Sequence, residues 1–201
     1  MENGFGGIET ILTAGGSMVI PILLASIWSV SMLIDGLWQA RRASTRLEVL
    51  PLIDKKGLNP DELRGNDPVT TLFRFRLENP QATLAELRDM REHVFAKVER
   101  RFSWLSTLSA IAPLFGLLGT VFGMIKIFHI VSVTKPTNPI AALSGGISEA
   151  LIATAGGLIV AVIASLGYHF LTNRFASVEA DTERWLTRAK ARPTEDPRIA
   201  R

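Results

Sequence analysis

Three long stretches of this chain carry no Asp, Glu, Lys or Arg: those between Glu9 and Asp35, between Arg101 and Lys126, and between Glu149 and Arg174. Each exceeds the roughly 20 apolar residues that cross about 30 Å of hydrocarbon at 1.5 Å per residue. A core helix of a water-soluble domain seldom runs so far without a charge, so the pattern predicts three transmembrane helices. The expected layout is an external segment 1–16, a first span 17–37, a cytoplasmic helical segment 38–104, a second span 105–131, an external link 132–140, a third span 141–170, and a cytoplasmic helix and tail 171–201. The expected fold class is all-α integral membrane, with long helical extensions beyond the spans.

Between the first two spans the pattern changes from apolar blocks to a stripe. Leu84, Leu87, Met90, Val94 and Val98 recur at three- and four-residue steps, with Glu and Arg between them, as an amphipathic helix requires. Thr83 and Glu86 fit a capping box at its start. No breaker intervenes before Pro113, so this helix is expected to continue into the second span. Burial in a bundle is the preferred account of the stripe; a surface for other copies or partners is the second. Pro51, Pro60, Pro68 and Pro80 are expected to cut the rest of the segment into short helices. Before the first span, Gly4, Gly6, Gly7, Gly15 and Gly16 enclose an apolar stretch 8–14 that reads as an interfacial turn. Residues 193–201 read as a disordered polar tail. Pro21, near the start of the first span, is tolerable in a membrane helix, and that span reads as lipid-facing support.

Composition agrees with a membrane protein: 47% of residues are hydrophobic and the mean hydropathy is +0.25, while the 20% that are charged lie outside the three stretches, Lys126 and Glu149 at their edges. The absence of cysteine removes disulfides, thiolate metal sites and cysteine nucleophiles. The net charge of +3 matters less than its placement. Arg41, Arg42 and Arg46 follow the first span, Lys97, Arg100 and Arg101 precede the second, and Arg174 and Arg184 follow the third, whereas residues 1–16 hold no basic side chain and 132–140 hold only Lys135. Basic residues near span ends mark the cytoplasmic side, so the N-terminus is expected outside and the C-terminus inside. Trp38, Trp104 and Tyr168 fall where an inner aromatic belt would lie. No basic region precedes the first span, which is therefore read as retained rather than cleaved.

Polar groups within hydrocarbon are expensive and invite a functional reading. Thr120 stands near the middle of the second span, with Pro113 two turns toward the cytoplasmic end. Thr154 stands in the third, on a thin polar track that continues through Ala161 to Ser165. Glu149 lies at the outer part of the third span, five residues before Thr154 and about 140° around the helix from it. Lys126 either pairs with Glu149 or snorkels to the outer surface; the second is preferred. A lone membrane threonine usually bonds its own helix, but two at mid-depth on neighbouring helices weaken that account. Gly116, Gly119 and Gly123 share one helix side, and Gly146, Ala150, Ala153, Gly157, Ala161 and Ala164 form a second small-residue face. Such faces let helices approach closely, in an oligomer or within one subunit. Asp35 reads as a hydrated interfacial residue, and His93, His129 and His169 as isolated. With no phosphate loop, metal spacing or nucleophile elbow, an enzyme is not expected, nor a cofactor, a metal or a nucleic-acid partner.

The stretches 112–124 (APLFGLLGTVFGM) and 147–158 (ISEALIATAGGL) resemble the two signature regions of the MotA/TolQ/ExbB proton channel family, and 15–24 (GGSMVIPILL) resembles its ExbB-type members. Three spans with an external N-terminus resemble ExbB and TolQ rather than the four-span MotA type. The resemblance implies a homo-pentamer whose second and third spans line a pore. That pore would hold single-span helices of an ExbD- or TolR-like partner, whose membrane aspartate carries the proton. It implies that Thr120 and Thr154 supply the pore's polar surroundings and Glu149 its acidic residue, in the bacterial inner membrane. It further implies that proton flow drives TonB-dependent outer-membrane transport, or, through TolA, the envelope system served by TolQ. Lys126 is foreign to the pattern and bears on the outer pore's electrostatics. A non-conducting membrane scaffold is the reading from another class.

Overall fold

In a computed structural model, which describes residues 18–53, 65 and 67–191, the chain is helical and the described residues form no strand. The helices are α1 (Val19–Ile53), α2 (Pro68–Glu78), α3 (Leu84–Thr134) and α4 (Pro139–Ala191). By length and composition α1, α3 and α4 can each cross a membrane. The glycine-flanked stretch 8–14, Pro60 and the tail 193–201 lie outside the described residues.

Two expectations about helix ends meet different fates. Pro51 does not cut the chain: α1 runs through it to Ile53. In a last turn a proline forfeits one hydrogen bond to the preceding turn, a loss the helix end tolerates. Pro68 instead opens α2 at its first position, behind Asp67, whose carboxylate accepts the Thr70 amide at 3.0 Å and the Thr70 hydroxyl at 2.8 Å. Pro80 follows that helix's end. At the start of α3 the capping box is present: the Thr83 amide donates to Glu86 Oε2 at 2.6 Å and the Glu86 amide to Thr83 Oγ at 3.3 Å. From there α3 is unbroken through Pro113.

The chain divides into two compact units, Met1–Ile34 with Ser103–His169 and Asp35–Phe102 with Phe170–Arg201. In the first, α3 and α4 meet through small residues, and α1 lies against both. A Cβ placed on Gly119 would stand 2.7 Å from the Ala153 methyl and 3.3 Å from Met18, and one on Gly167 would stand 2.7 Å from Leu33. Leu105, Ala112, Ala150, Ala153, Val160 and Ala164 are buried, whereas Leu114, Leu117, Ile125, Leu151 and Leu166 face outward, as side chains in contact with lipid or a neighbouring subunit would. The link between α3 and α4 is short. Lys135 takes the left-handed conformation that ends α3 (φ 42), and Asn138 Oδ1 caps α4 by accepting the Ala141 amide at 3.2 Å.

The second unit is built from larger side chains. Leu72, Leu87 and Leu186 bring α2, α3 and α4 into one cluster, with Phe75, Met90 and Trp185 around it. Phe102 packs on Phe175 at 5.2 Å and Phe73 on Trp185 at 5.3 Å. Leu87, Val94 and Val98 of the α3 stripe are buried, so bundle packing accounts for them. Arg88 and Arg91 reach Glu183 at 2.7 and 2.8 Å. Gly36 of α1 admits Leu171 and Phe102, whose atoms would lie 2.6 and 2.8 Å from an added Cβ.

Candidate functional site

The polar groups of the first unit are placed by the glycines around them. A Cβ on Gly116 would meet the Thr154 Cα at 3.0 Å and the Ala153 carbonyl oxygen at 3.2 Å, and a Cβ on Gly157 would stand 2.6 Å from the Ala112 carbonyl oxygen. Here backbone faces backbone. With both glycines bare, the Thr154 hydroxyl reaches across and donates to the Gly116 carbonyl at 3.0 Å. This is an interhelical bond, unlike the bond to the same helix that most membrane threonines make.

Thr120, one turn beyond Gly116 on α3, behaves the other way. Its hydroxyl donates to its own helix at the Leu117 carbonyl, 2.7 Å away. It lines an outward apolar groove with Val121, Met124, Ile125 and Phe128. The two threonines therefore sit on adjoining helices, but their hydroxyls do not pair with each other. They share a different property: each has its proton committed to a carbonyl, so each oxygen has only acceptor capacity left. In an apolar setting such an oxygen favours a protonated carboxyl or a water over a carboxylate, which has no proton to give.

Toward the other end of the span, Gly123 lies against Ala150, with an added Cβ 3.1 Å from its methyl, and Gly146 against Ile127 at 2.7 Å. This close approach brings Lys126 Nζ within 3.3 Å of both Glu149 oxygens. The preferred expectation of a snorkelling lysine is thus corrected: the ammonium turns to the carboxylate on the facing helix. The pair is uneven, with the Lys126 side chain 62% exposed and that of Glu149 22%. Gly116, Gly119, Gly123, Gly146 and Gly157 all spend their small size on α3–α4 contacts within the chain, so these faces do not by themselves speak for an oligomer.

Sequence reasoning missed other contacts. Asp35, read as merely hydrated, receives Arg101 at 2.9 Å and the Gln39 amide at 3.0 Å. The Arg88, Arg91 and Glu183 group joins residues more than 90 positions apart. Among the described residues no group of three His, Cys, Asp or Glu could hold a metal ion.

The sequence profile of the MotA/TolQ/ExbB proton channel family matches residues 65–184. The biopolymer transport protein ExbB of Neisseria gonorrhoeae is 37% identical over 112 residues, covering 49% of this chain and 50% of that protein. ExbB of Salmonella typhimurium is 28% identical over 185 residues, covering 81% of this chain and 75% of that protein. The Tol-Pal system protein TolQ of Haemophilus influenzae is 38% identical over 84 residues, 42% of this chain and 36% of that protein. The chain thus spans half the length of the Neisseria relative and less of TolQ.

Proposed function

This chain belongs to the MotA/TolQ/ExbB proton channel family, and from that premise we propose that it is the ExbB-type subunit of a motor in the bacterial inner membrane, driven by the proton gradient. In this reading its N-terminus is periplasmic and its C-terminus cytoplasmic. Five copies surround the single-span helices of an ExbD-like partner, and the assembly energises outer-membrane transport through a TonB-like protein. The chain's own residues supply a path lined by Thr120 and Thr154, and the partner supplies the carboxyl group that carries the proton.

The observation that carries the reading is the committed hydroxyl of Thr154. A protonated carboxyl passing it gains an acceptor, whereas a carboxylate gains none. The path therefore favours passage of the neutral acid and spares the hydrocarbon a bare charge. Within this unit Glu149 is held by Lys126 and the three charge-free stretches offer no further acid, which accords with a carrier on a second polypeptide. The TolQ-type reading rests on the Haemophilus relative, and the two types differ in the partner they take.

The test is proton flux into liposomes under an imposed gradient, for the chain co-purified with its single-span partner. Thr154→Val keeps the shape and removes the hydroxyl. Flux is expected to require the partner and to fall about ten-fold in Thr154→Val with the oligomer unchanged, the scale of losing one hydrogen bond between neutral groups in an apolar setting. Thr154→Ser is expected to restore most of it. Equal partner-dependent flux in parent and valine variant would remove Thr154 from the path, and no partner-dependent flux in the parent would favour the non-conducting scaffold.

A further inference from the structure

We propose that Trp38, Arg41 and Arg42 on α1 form a binding site for the phosphate of an anionic phospholipid. The proposal concerns the second unit and is independent of the motor reading.

The charge-free stretch of α1 ends at Asp35, so the next turn stands where hydrocarbon gives way to headgroups. Trp38 occupies that turn and is 59% exposed. Arg41 and Arg42 follow at three and four residues, the two spacings that place side chains beside one another on a helix. The Arg42 guanidinium lies over the Trp38 ring, 3.5 Å from its centroid. A guanidinium stacked in this way has one face covered by the indole while its N–H edge stays open. That edge is the part of arginine that matches two phosphate oxygens at once.

The charges around the pair leave it cationic. Among the described residues neither Arg41 nor Arg42 makes an ion pair. The nearest acid toward the apolar end, Asp35, is already held by Arg101 and Gln39. Glu48, the nearest acid in the other direction, is exposed and six to seven residues along, roughly 10 Å of helix. On the α4 side Arg174 donates to Ser44 at 3.1 Å and adds a third guanidinium beside the same stretch of α1. Two arginines without an ion pair among the described residues, one preset against an exposed tryptophan at the edge of an apolar stretch, match a ligand with an anionic head and apolar tails. A soluble anion would use the arginines but not the ring or its depth.

The test is electron spin resonance on the full chain in phosphatidylcholine bilayers, comparing spin-labelled phosphatidylglycerol with spin-labelled phosphatidylcholine. The parent is expected to immobilise phosphatidylglycerol about ten-fold more strongly than phosphatidylcholine, each arginine contributing up to about five-fold. Arg41→Gln with Arg42→Gln is expected to bring the two lipids to parity. Arg184→Gln with Arg188→Gln, which removes the same charge farther along α4, is expected to leave the preference intact. Trp38→Leu is expected to weaken it about two- to three-fold with both charges retained. Equal loss in the Arg184/Arg188 variant would reduce the effect to bulk charge, and displacement of the lipid by inorganic phosphate at constant ionic strength would assign the site to a free anion. Either result overturns the proposal, as does an unchanged preference in the Arg41/Arg42 variant. Both arginines are exposed, so folding of that variant is not at issue, and retained thermal melting confirms it.

Discussion

Where α3 meets α4 beside Gly116 and Gly157, an added methyl would strike a carbonyl oxygen or a Cα. Where the same two helices meet beside Leu87 and Leu186, the contact is made by large side chains, backed by Arg88 and Arg91 on Glu183. The first region has little to gain from hiding leucine, because lipid tails are as apolar as leucine; it gains from close backbone approach and from the hydroxyl bond that such approach permits. The second has charged and apolar positions in alternation and follows the rule for water, in which removing large apolar side chains from solvent holds helices together. One pair of helices thus changes its means of association along its length.

Substitutions can break this contrast, and the largest effect belongs to the leucine cluster. Leu72→Ala is expected to destabilise the second unit by about 3 kcal/mol through lost burial and an unfilled cavity, read as faster amide exchange in α2 while exchange near Gly116 is unchanged. A matched pair of methyls probes the other region. Gly157→Ala is expected to destabilise by about 2 kcal/mol, because the new Cβ meets the Ala112 carbonyl and one helix must retreat. Gly145→Ala meets nothing within 4 Å and is expected to be neutral or to stabilise by up to about 1 kcal/mol through helix propensity. Denaturant titration in micelles reads both, and equal effects at the two glycines would end the close-approach account.

The smaller effects sharpen the comparison. Thr83→Ala removes one side of the box at the start of α3 and is expected to cost about 1 kcal/mol, seen as fraying of its first turn. Glu149→Gln leaves Lys126 without its partner and is expected to cost about 0.5 kcal/mol, the modest value that a half-exposed pair allows. Lys126→Gln added to it is expected to recover most of that loss. A double variant whose loss equals the sum of the two single losses would mean that the two residues are not coupled, and a double-mutant cycle in thermal melting that includes Lys126→Gln alone decides it.

Much of the fold was legible. The three charge-free stretches located the apolar parts of α1, α3 and α4, and the α3 stripe announced its buried face because a water-exposed helix must segregate its residues. The glycines at steps of three and four signalled close packing, but not against which helix, since the same face serves a neighbour in the chain or in another copy. Thr154 was visible as a polar residue in an apolar span. That its proton crosses to Gly116 while that of Thr120 stays on its own helix was not visible, because the sequence offers each hydroxyl both kinds of carbonyl. Lys126 was misjudged for a related reason: the choice between the surface and Glu149 depends on an interhelical gap that Gly123 and Gly146 set jointly. Pro51 was read as a stop because its place in a last turn depends on where the helix ends.

The glycine contacts also constrain how this sequence can drift. A leucine in the second unit faces other side chains, so the cavity left by a smaller residue can be refilled by a change at a neighbour. At Gly116 and Gly157 the facing atoms are main chain, which no substitution removes, and at Gly119 and Gly123 they are the methyls of Ala153 and Ala150. The first two positions are closed to exchange in either order. The last two open when the alanine opposite becomes glycine, with Met18 also giving way at Gly119, so each should change together with its counterpart among descendants of this chain.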